Sequence, residues 1–337
     1  MDTWSFQKQW NDALTIGREE RKVEPRARIW ASELGGSMAD RYLKLKGVKP
    51  STPPDSRALR KFEAGNLMEW VVELVLRRSG ILQESQEHVE FQYKGLLPVT
   101  GRLDFLAGGT IDFEKAEAEL EALHLPEFFG RASFNILEYL KTTYPNGLKP
   151  LVLETKSVSS MMYDRYEKYQ RANDNHELQA FHYLKGKDMD EAHIIYLCKD
   201  DLRLLEIPVF NPSELEEKYK TDIETLSNYY YNDQMPPLEK PIIWDEQSTK
   251  FSANWKMKYS NYLSYLYGME HQSVYEERYE KQIAQWNRVL TRIIQNKSLT
   301  ALNKSVISEM RAMFNNVDQL IEQARSNRGF EMESDAI

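Results

Sequence analysis

The chain has 337 residues, 41% hydrophobic and 28% charged, the balance of a globular protein with enough chain for one or two domains. Its net charge of −8 argues against a coat that grips nucleic acid through a general basic surface, though not against an enzyme with a local basic patch. Cys198 is the only cysteine, which excludes an internal disulfide, a cysteine zinc site and a cysteine-ligated iron–sulfur cluster. No apolar run reaches the roughly 18 residues a membrane-spanning helix needs. The opening segment, MDTWSFQKQWNDALTIGREERK, has no apolar signal core, so a secretory signal is not expected. These features suit a reducing cytoplasm.

Residues 1–60 read as an N-terminal helical segment. Within it RARIWASELGGSMADRYLKLKG reads as a helix start, a loop and a second helix. The connector KPSTPPDS follows, non-helical because of its prolines. KFEAGNLMEWVVELVLRRS has helical spacing, with Leu67, Trp70, Val71, Leu74 and Val75 forming an apolar stripe and Gly80 a C-terminal cap. HVEFQYKG and LPVTGRLDFLAGG alternate as strands joined by a Lys-Gly turn. A Glu-, Ala- and Leu-rich helical insertion covers about 112–145 and ends at PNGLKP. LKPLVLETKS is a buried strand, and DNHELQAFHYLK a helix opened by Asp or Asn. AHIIYLCKDD and LRLLEIPVF are two more strands. Residues 211–337 are read as a helical region, broken at DQMPPLEKPIIWDEQ, with one or two long amphipathic helices over 270–327. The order predicts an α/β fold with a central mixed β-sheet flanked by helices, its core at 61–210 and helical extensions at both ends.

Chemistry concentrates on the strands. Glu154 and Lys156 are two apart, so both point to one face of a strand beside the apolar run Leu151-Val152-Leu153. A buried carboxylate and ammonium are costly unless they are paired or bind something, and a metal ion with a substrate phosphate supplies both partners. Asp104, opposite in direction to Leu103 and Phe105, can converge with Glu154 on one hard cation if their strands are neighbours. Lys156 then stands where it can orient a water and neutralise phosphate charge. The tripeptide E-x-K alone is common and marks no site. Glu69 lies one helix earlier. Gln179 and Tyr183 are four apart on the later helix and share a face, with His176 three residues before them.

In this order the motifs resemble the PD-(D/E)XK nuclease superfamily, in its RecB-like and Cas4-like branch. Its helix motif, G-x-x-D, E-x-K and Q-x-x-x-Y match Gly65 to Glu69, Gly101 to Asp104, Glu154 to Lys156 and Gln179 to Tyr183, within about residues 30–210. The resemblance implies Glu69, Asp104, Glu154 and the Thr155 carbonyl as ligands of Mg²⁺ or Mn²⁺. It implies Lys156 as assistant to the attacking water, with Gln179 and Tyr183 completing the catalytic group. Glu69 stands where many relatives have His, and a carboxylate also suits these ions. A second departure concerns the iron–sulfur cluster of Cas4-like relatives. Ser37, Met257 and Ser260 occupy the places of its cysteines, so no cluster is expected, and Trp255, Tyr259 and Tyr262 are expected to replace it by packing.

The implied activity is metal-dependent hydrolysis of DNA phosphodiesters, most simply from ends, in a bacterial or phage-infected cell. A site- or structure-specific endonuclease and an inactive scaffold that binds DNA or a partner protein are the alternatives. DNA is the expected partner, with a homo-oligomer or a recombination or replication protein besides. Arg102, Lys141, Lys149, Arg165, Lys168 and Arg171 are candidate phosphate contacts, and MMYDRYEKYQR mixes aromatic and basic residues as a single-strand surface does.

Overall fold

The computed structural model describes residues 5–16, 23–122 and 127–334. The parts of the expected N-terminal helices and of the insertion that fall on 1–4, 17–22 and 123–126 lie outside the described residues. The chain divides into two units, Met1–Val48 with Pro54–Pro236, and Lys49–Pro53 with Pro237–Ile337.

The first unit runs in the order α1 (Phe6–Thr15), β1 (Ile29–Trp30), α2 (Met38–Leu45), α3 (Ser56–Arg78), β2 (Leu82–Phe91), β3 (Val99–Gly109), α4 (Phe113–Ala122), α5 (Glu127–Thr143), β4 (Leu148–Val158), α6 (Ser160–Tyr169), α7 (Asp174–Lys187), β5 (Glu191–Cys198), β6 (Leu204–Phe210) and α8 (Ser213–Tyr231). A mixed sheet with helices on both faces is therefore present, as the element order predicts. The N-terminal expectation needs one correction. Ile29 and Trp30 do not start a helix; they pair in parallel with Val99 and Thr100 of β3. Two residues are too few to carry an alternating pattern, so this strand is invisible without its partner.

Strand β3 is the centre of the sheet. Along one edge it pairs with β2 in antiparallel from Phe91↔Val99 to Leu82↔Ala107. Its other edge is shared. β1 takes Val99 and Thr100, and β4 takes Phe105 to Gly109. Between them, among the described residues, Gly101–Asp104 have no strand partner on that edge. Beyond β4 lie β5, parallel, and β6, antiparallel to β5.

Alternation assigns the two faces. Phe105, Ala107, Leu153 and Ile195 point to α3, where Val72 and Leu76 meet them. Val152, Ile194 and Tyr196 point the other way, toward α7, whose Leu178, Phe181 and Leu184 are buried. The stripe expected to bury α3 is the wrong one. Leu67, Trp70, Val71 and Val75 are exposed, and Val72 and Leu76 carry the packing instead. Both sets have helical spacing, so periodicity identifies the helix without choosing its buried side. Side chains tie α2 and α7 to α8. Arg41 forks onto Asp222 at 2.6 and 2.8 Å, and His182 bonds Tyr219 and the Val89 carbonyl at 2.9 and 3.3 Å.

The second unit opens with a hairpin that the reading of 211–337 as helical misses, β7 (Ile242–Asp245) with β8 (Lys250–Ala253). Then come α9 (Trp255–Lys258), α10 (Leu263–Tyr267), α11 (Gln272–Tyr275), α12 (Lys281–Ile294), α13 (Ala301–Met313) and α14 (Val317–Ser334). The region 270–327 is thus several helices, broken at Asn296 and Phe314, rather than one or two. Ile242, Phe251, Trp286, Leu290, Met310 and Ile321 share its core. Asn287 grips β8 through both backbone groups of Phe251, at 2.9 and 2.8 Å. Around Met257 and Ser260, Met257 and Tyr262 are buried, but Trp255 and Tyr259 are exposed. The expected packing by those two residues is corrected accordingly. The unbranched Met257 fills the space next to Leu263, Met269 and Tyr275.

Burial sets one pH dependence. The His182 imidazole is pushed down to about 4, chiefly by loss of solvent, and donates its Nε2 proton to Val89 while neutral. In the unfolded chain it titrates near 6.5. Between those values only the unfolded chain takes up the proton, so stability is full above pH 6.5 and falls as pH drops toward 4. The His182→Gln protein is expected to be less stable at pH 7, yet to lose about 2 kcal/mol less than wild type between pH 7 and pH 5. Urea unfolding at the two pH values checks this; equal losses would contradict it.

Candidate active site

The unpartnered stretch of β3 organises the candidate residues. The β3–β4 ladder stops at Phe105↔Leu153, one step before Asp104 would meet Glu154. There the strands part, and side chains take over the backbone's partners. Asp104 Oδ2 accepts the Thr155 N–H at 2.8 Å, and the Arg102 carbonyl accepts the Tyr183 hydroxyl at 2.7 Å. In a strand, a residue's N–H and C=O face the same neighbour, so the Thr155 carbonyl also looks into this gap.

Glu154 and Lys156 share the face turned to α7. The Lys156 ammonium donates to Glu154 Oε1 and, at 3.0 Å, to Gln179 Oε1. Gln179 Nε2 donates to the Tyr183 oxygen at 3.3 Å. A continuous chain of hydrogen bonds therefore runs from Glu154 through Lys156, Gln179 and Tyr183 to the Arg102 carbonyl. The i, i+4 spacing of Gln179 and Tyr183 is what lets one helix face bridge both strands. Gly101 makes this approach possible. A Cβ there would lie 2.7 Å from Ala31 Cβ and 2.8 Å from the Tyr183 oxygen.

Charge in the gap is unbalanced. Burial, and then the Glu154 carboxylate, hold the Asp104 carboxyl well above the usual range. Burial also raises Glu154, against the pull of Lys156. Glu69 is raised by burial and by Glu154. Burial would lower the Lys156 ammonium, but Glu154 and Asp104 outweigh it and hold it above an ordinary lysine. Three carboxylates thus feel one ammonium. Glu154 is 1% exposed, and its Oε2 has no hydrogen-bond partner. A buried, unpartnered carboxylate oxygen beside a surplus of negative charge is the donor set of a hard cation. The residues present therefore fit a divalent metal. Glu69 does not complete a three-carboxylate cluster. Among the described residues no three His, Cys, Asp or Glu side chains are grouped to hold a metal, and Glu69 Oε1 accepts from Gln86 on β2.

Other sequence candidates disperse. Arg102 is exposed next to the gap. Lys149 pairs with Glu191 at 2.5 Å, and lies roughly 23 Å up β4 from Lys156 by strand rise. Lys141 pairs with Glu117 at 3.4 Å and Arg171 with Asp174 at 3.1 Å. His176 is half-buried and bonds the Tyr196 hydroxyl at 2.9 Å. Burial, then the Lys156 charge, push its imidazole down to about 3, so it is neutral beside the site. Tyr196 and Gln86 are the participants that sequence reasoning missed. Tyr196 sits in register with Lys156 on the next strand, and nothing in the local pattern around either residue marks a polar role.

No protein-family model and no curated protein sequence matches the chain. Among the solved structures similar to it in part are the following three. SSO0001 is 14% identical, with 78% of this chain and 96% of that one covered at a TM-score of 0.41. An alkaline exonuclease from Laribacter hongkongensis is 10% identical, with 67% and 93% covered at 0.35. A phage-related exonuclease from Haemophilus somnus 129PT is 14% identical, with 64% and 96% covered at 0.29.

The two motif glycines are expected to behave differently. Gly101→Ala should cost about 1–3 kcal/mol, because Ala31 and Tyr183 cannot both stay in place. At Gly65, within α3, a Cβ meets only Ser157 Oγ at 3.5 Å. Gly65→Ala should be neutral or stabilising by about 0.5–1 kcal/mol. Thermal and urea unfolding of both variants checks this; a destabilised Gly65→Ala protein or a tolerated Gly101→Ala protein contradicts the packing.

Proposed function

We propose that this protein is a Mg²⁺- or Mn²⁺-dependent nuclease of the PD-(D/E)XK type that hydrolyses DNA phosphodiesters from ends. The observation that carries the reading is the β3 gap. It collects Asp104, Glu154 and Lys156 at one opening, with Glu154 Oε2 buried and unpartnered.

Asp104, Glu154 and the Thr155 carbonyl are the groups that would hold the ion, with Glu69 at the rim. When bound, the ion supplies Lewis-acid stabilisation of the phosphate and lowers the pKa of a water. The remaining work falls to the chain. Lys156 stays protonated and directs its N–H bonds at the oxygen charge that grows during in-line attack. Gln179 fixes the ammonium, and Tyr183 fixes Gln179 against the β3 backbone, so Lys156 would keep its place were Glu154 to hold a cation. Neutral His176 adds no competing positive charge next to Lys156. The exposed Arg102 stands at the lip, where a guanidinium can fork onto a neighbouring phosphate. Products would carry a 5′ phosphate.

Lys156→Ala, Asp104→Asn and Glu154→Gln are each expected to slow digestion by about a thousandfold or more. The assay uses 5′- and 3′-labelled single- and double-stranded DNA with Mg²⁺ or Mn²⁺, beside closed circles. Digestion should stop in EDTA and leave closed circles whole. Wild-type speed in Lys156→Ala, or activity that survives exhaustive chelation, would overturn the metal–lysine reading. Cutting of closed circles would overturn the requirement for an end.

A further inference from the structure

The apolar stripe on α3 that the sheet does not use is an exposed surface beside Glu69. Leu67 (55% exposed), Trp70 (58%), Val71 (46%) and Val75 (39%) lie on one side of the helix, with half-buried Leu74 between them. Their spacing is that of a helix face packed on another helix. Four half-exposed side chains of this size amount to roughly 400 Å² of apolar surface, the size at which a patch marks an interface. The helix flanks would extend this toward the roughly 800 Å² that each partner of a stable dimer buries.

The charges at the ends of the stripe choose the occupant. Glu63 is exposed one heptad before Trp70, and Arg77 one heptad after it, on the same flank. Arg77 meets Glu73 of its own helix at 2.6 Å but stays 58% exposed, so its guanidinium has donors to spare. We propose that this face binds the same face of a second copy of the chain, with the two α3 helices antiparallel about a two-fold axis at Trp70. In that arrangement residues whose numbers sum to 140 oppose each other. Glu63 of each copy then faces Arg77 of the other, Trp70 meets its own equivalent, and Leu67 packs beside Leu74. The match is self-complementary, as an isologous interface must be. A DNA strand fits less well, because Trp70 is the one aromatic residue of the stripe and Glu63, Glu69 and Glu73 flank it.

Light scattering of the full chain at micromolar concentration tests this. The expected mass is twice 39.6 kDa. Glu63→Arg or Arg77→Glu alone should raise the dissociation constant about tenfold, since the two-fold repeats the lost ion pair. The double variant should restore wild-type association, and Trp70→Glu should give a single-chain mass. All three positions are exposed, and circular dichroism with thermal unfolding verifies that the variants fold. A wild-type chain that stays single, or a dimer indifferent to these substitutions, overturns the proposal. So does a double charge reversal no better than the single ones. A single chain whose DNA binding falls with Trp70→Glu would also overturn it and assign the face to nucleic acid.

Discussion

Among the described residues, Gly101–Asp104 of β3 have no strand along the edge where β1 stops and β4 has not begun, and the candidate site depends on that interruption. A continuous ladder would set Asp104 and Glu154 directly across from each other with backbone groups paired between them. The break instead frees the Arg102 carbonyl and the Thr155 N–H, and each must find a side chain. Tyr183 and Asp104 supply these partners. The backbone requirement therefore fixes one candidate metal ligand directly. Through Tyr183, Gln179 and Lys156 it fixes the other candidate groups as well.

The arrangement opposes stability locally. Burial raises the proton affinity of two buried carboxylates and a third at the rim, Glu154 raises Asp104 and Glu69 further, and a single ammonium compensates. An uncompensated buried charge costs several kcal/mol, so this grouping is costly as a purely structural feature. Local cost at a place the rest of the fold holds firmly is the pattern of functional sites. Here Phe105, Leu153 and Ile195 against α3 on one face, and α7 on the other, provide the rigidity.

What could be read from the sequence follows from the range of each signal. Strand alternation is local, so the end of β2 from His88, β3 to β6 and the shared face of Glu154 and Lys156 were legible. The four-residue spacing of Gln179 and Tyr183 was legible for the same reason. The gap was not, because it exists only where β1 and β4 share an edge of β3, and β1 has two residues. Periodicity announced α3 but chose Leu67, Trp70 and Val71 as its buried stripe, since burial depends on which sheet the helix meets. Glu69 lies on the expected helix, yet its bond to Gln86 joins residues 17 apart in the chain. Exposure of Trp255 and Tyr259 was equally hidden, because Met257 and Tyr262 between and beyond them took the core positions.

Whether the β3 gap is a divalent-metal site is read from a crystal structure of the protein grown with Mn²⁺, by anomalous scattering. A peak is expected between Asp104 and Glu154, within coordination distance of both carboxylates and of the Thr155 carbonyl, at about 2.0–2.2 Å. Lys156 should remain hydrogen-bonded to Gln179 while Glu154 Oε2 becomes a ligand. A gap without an anomalous peak at saturating Mn²⁺, or an ion bound elsewhere with Asp104 and Glu154 unchanged, would contradict it.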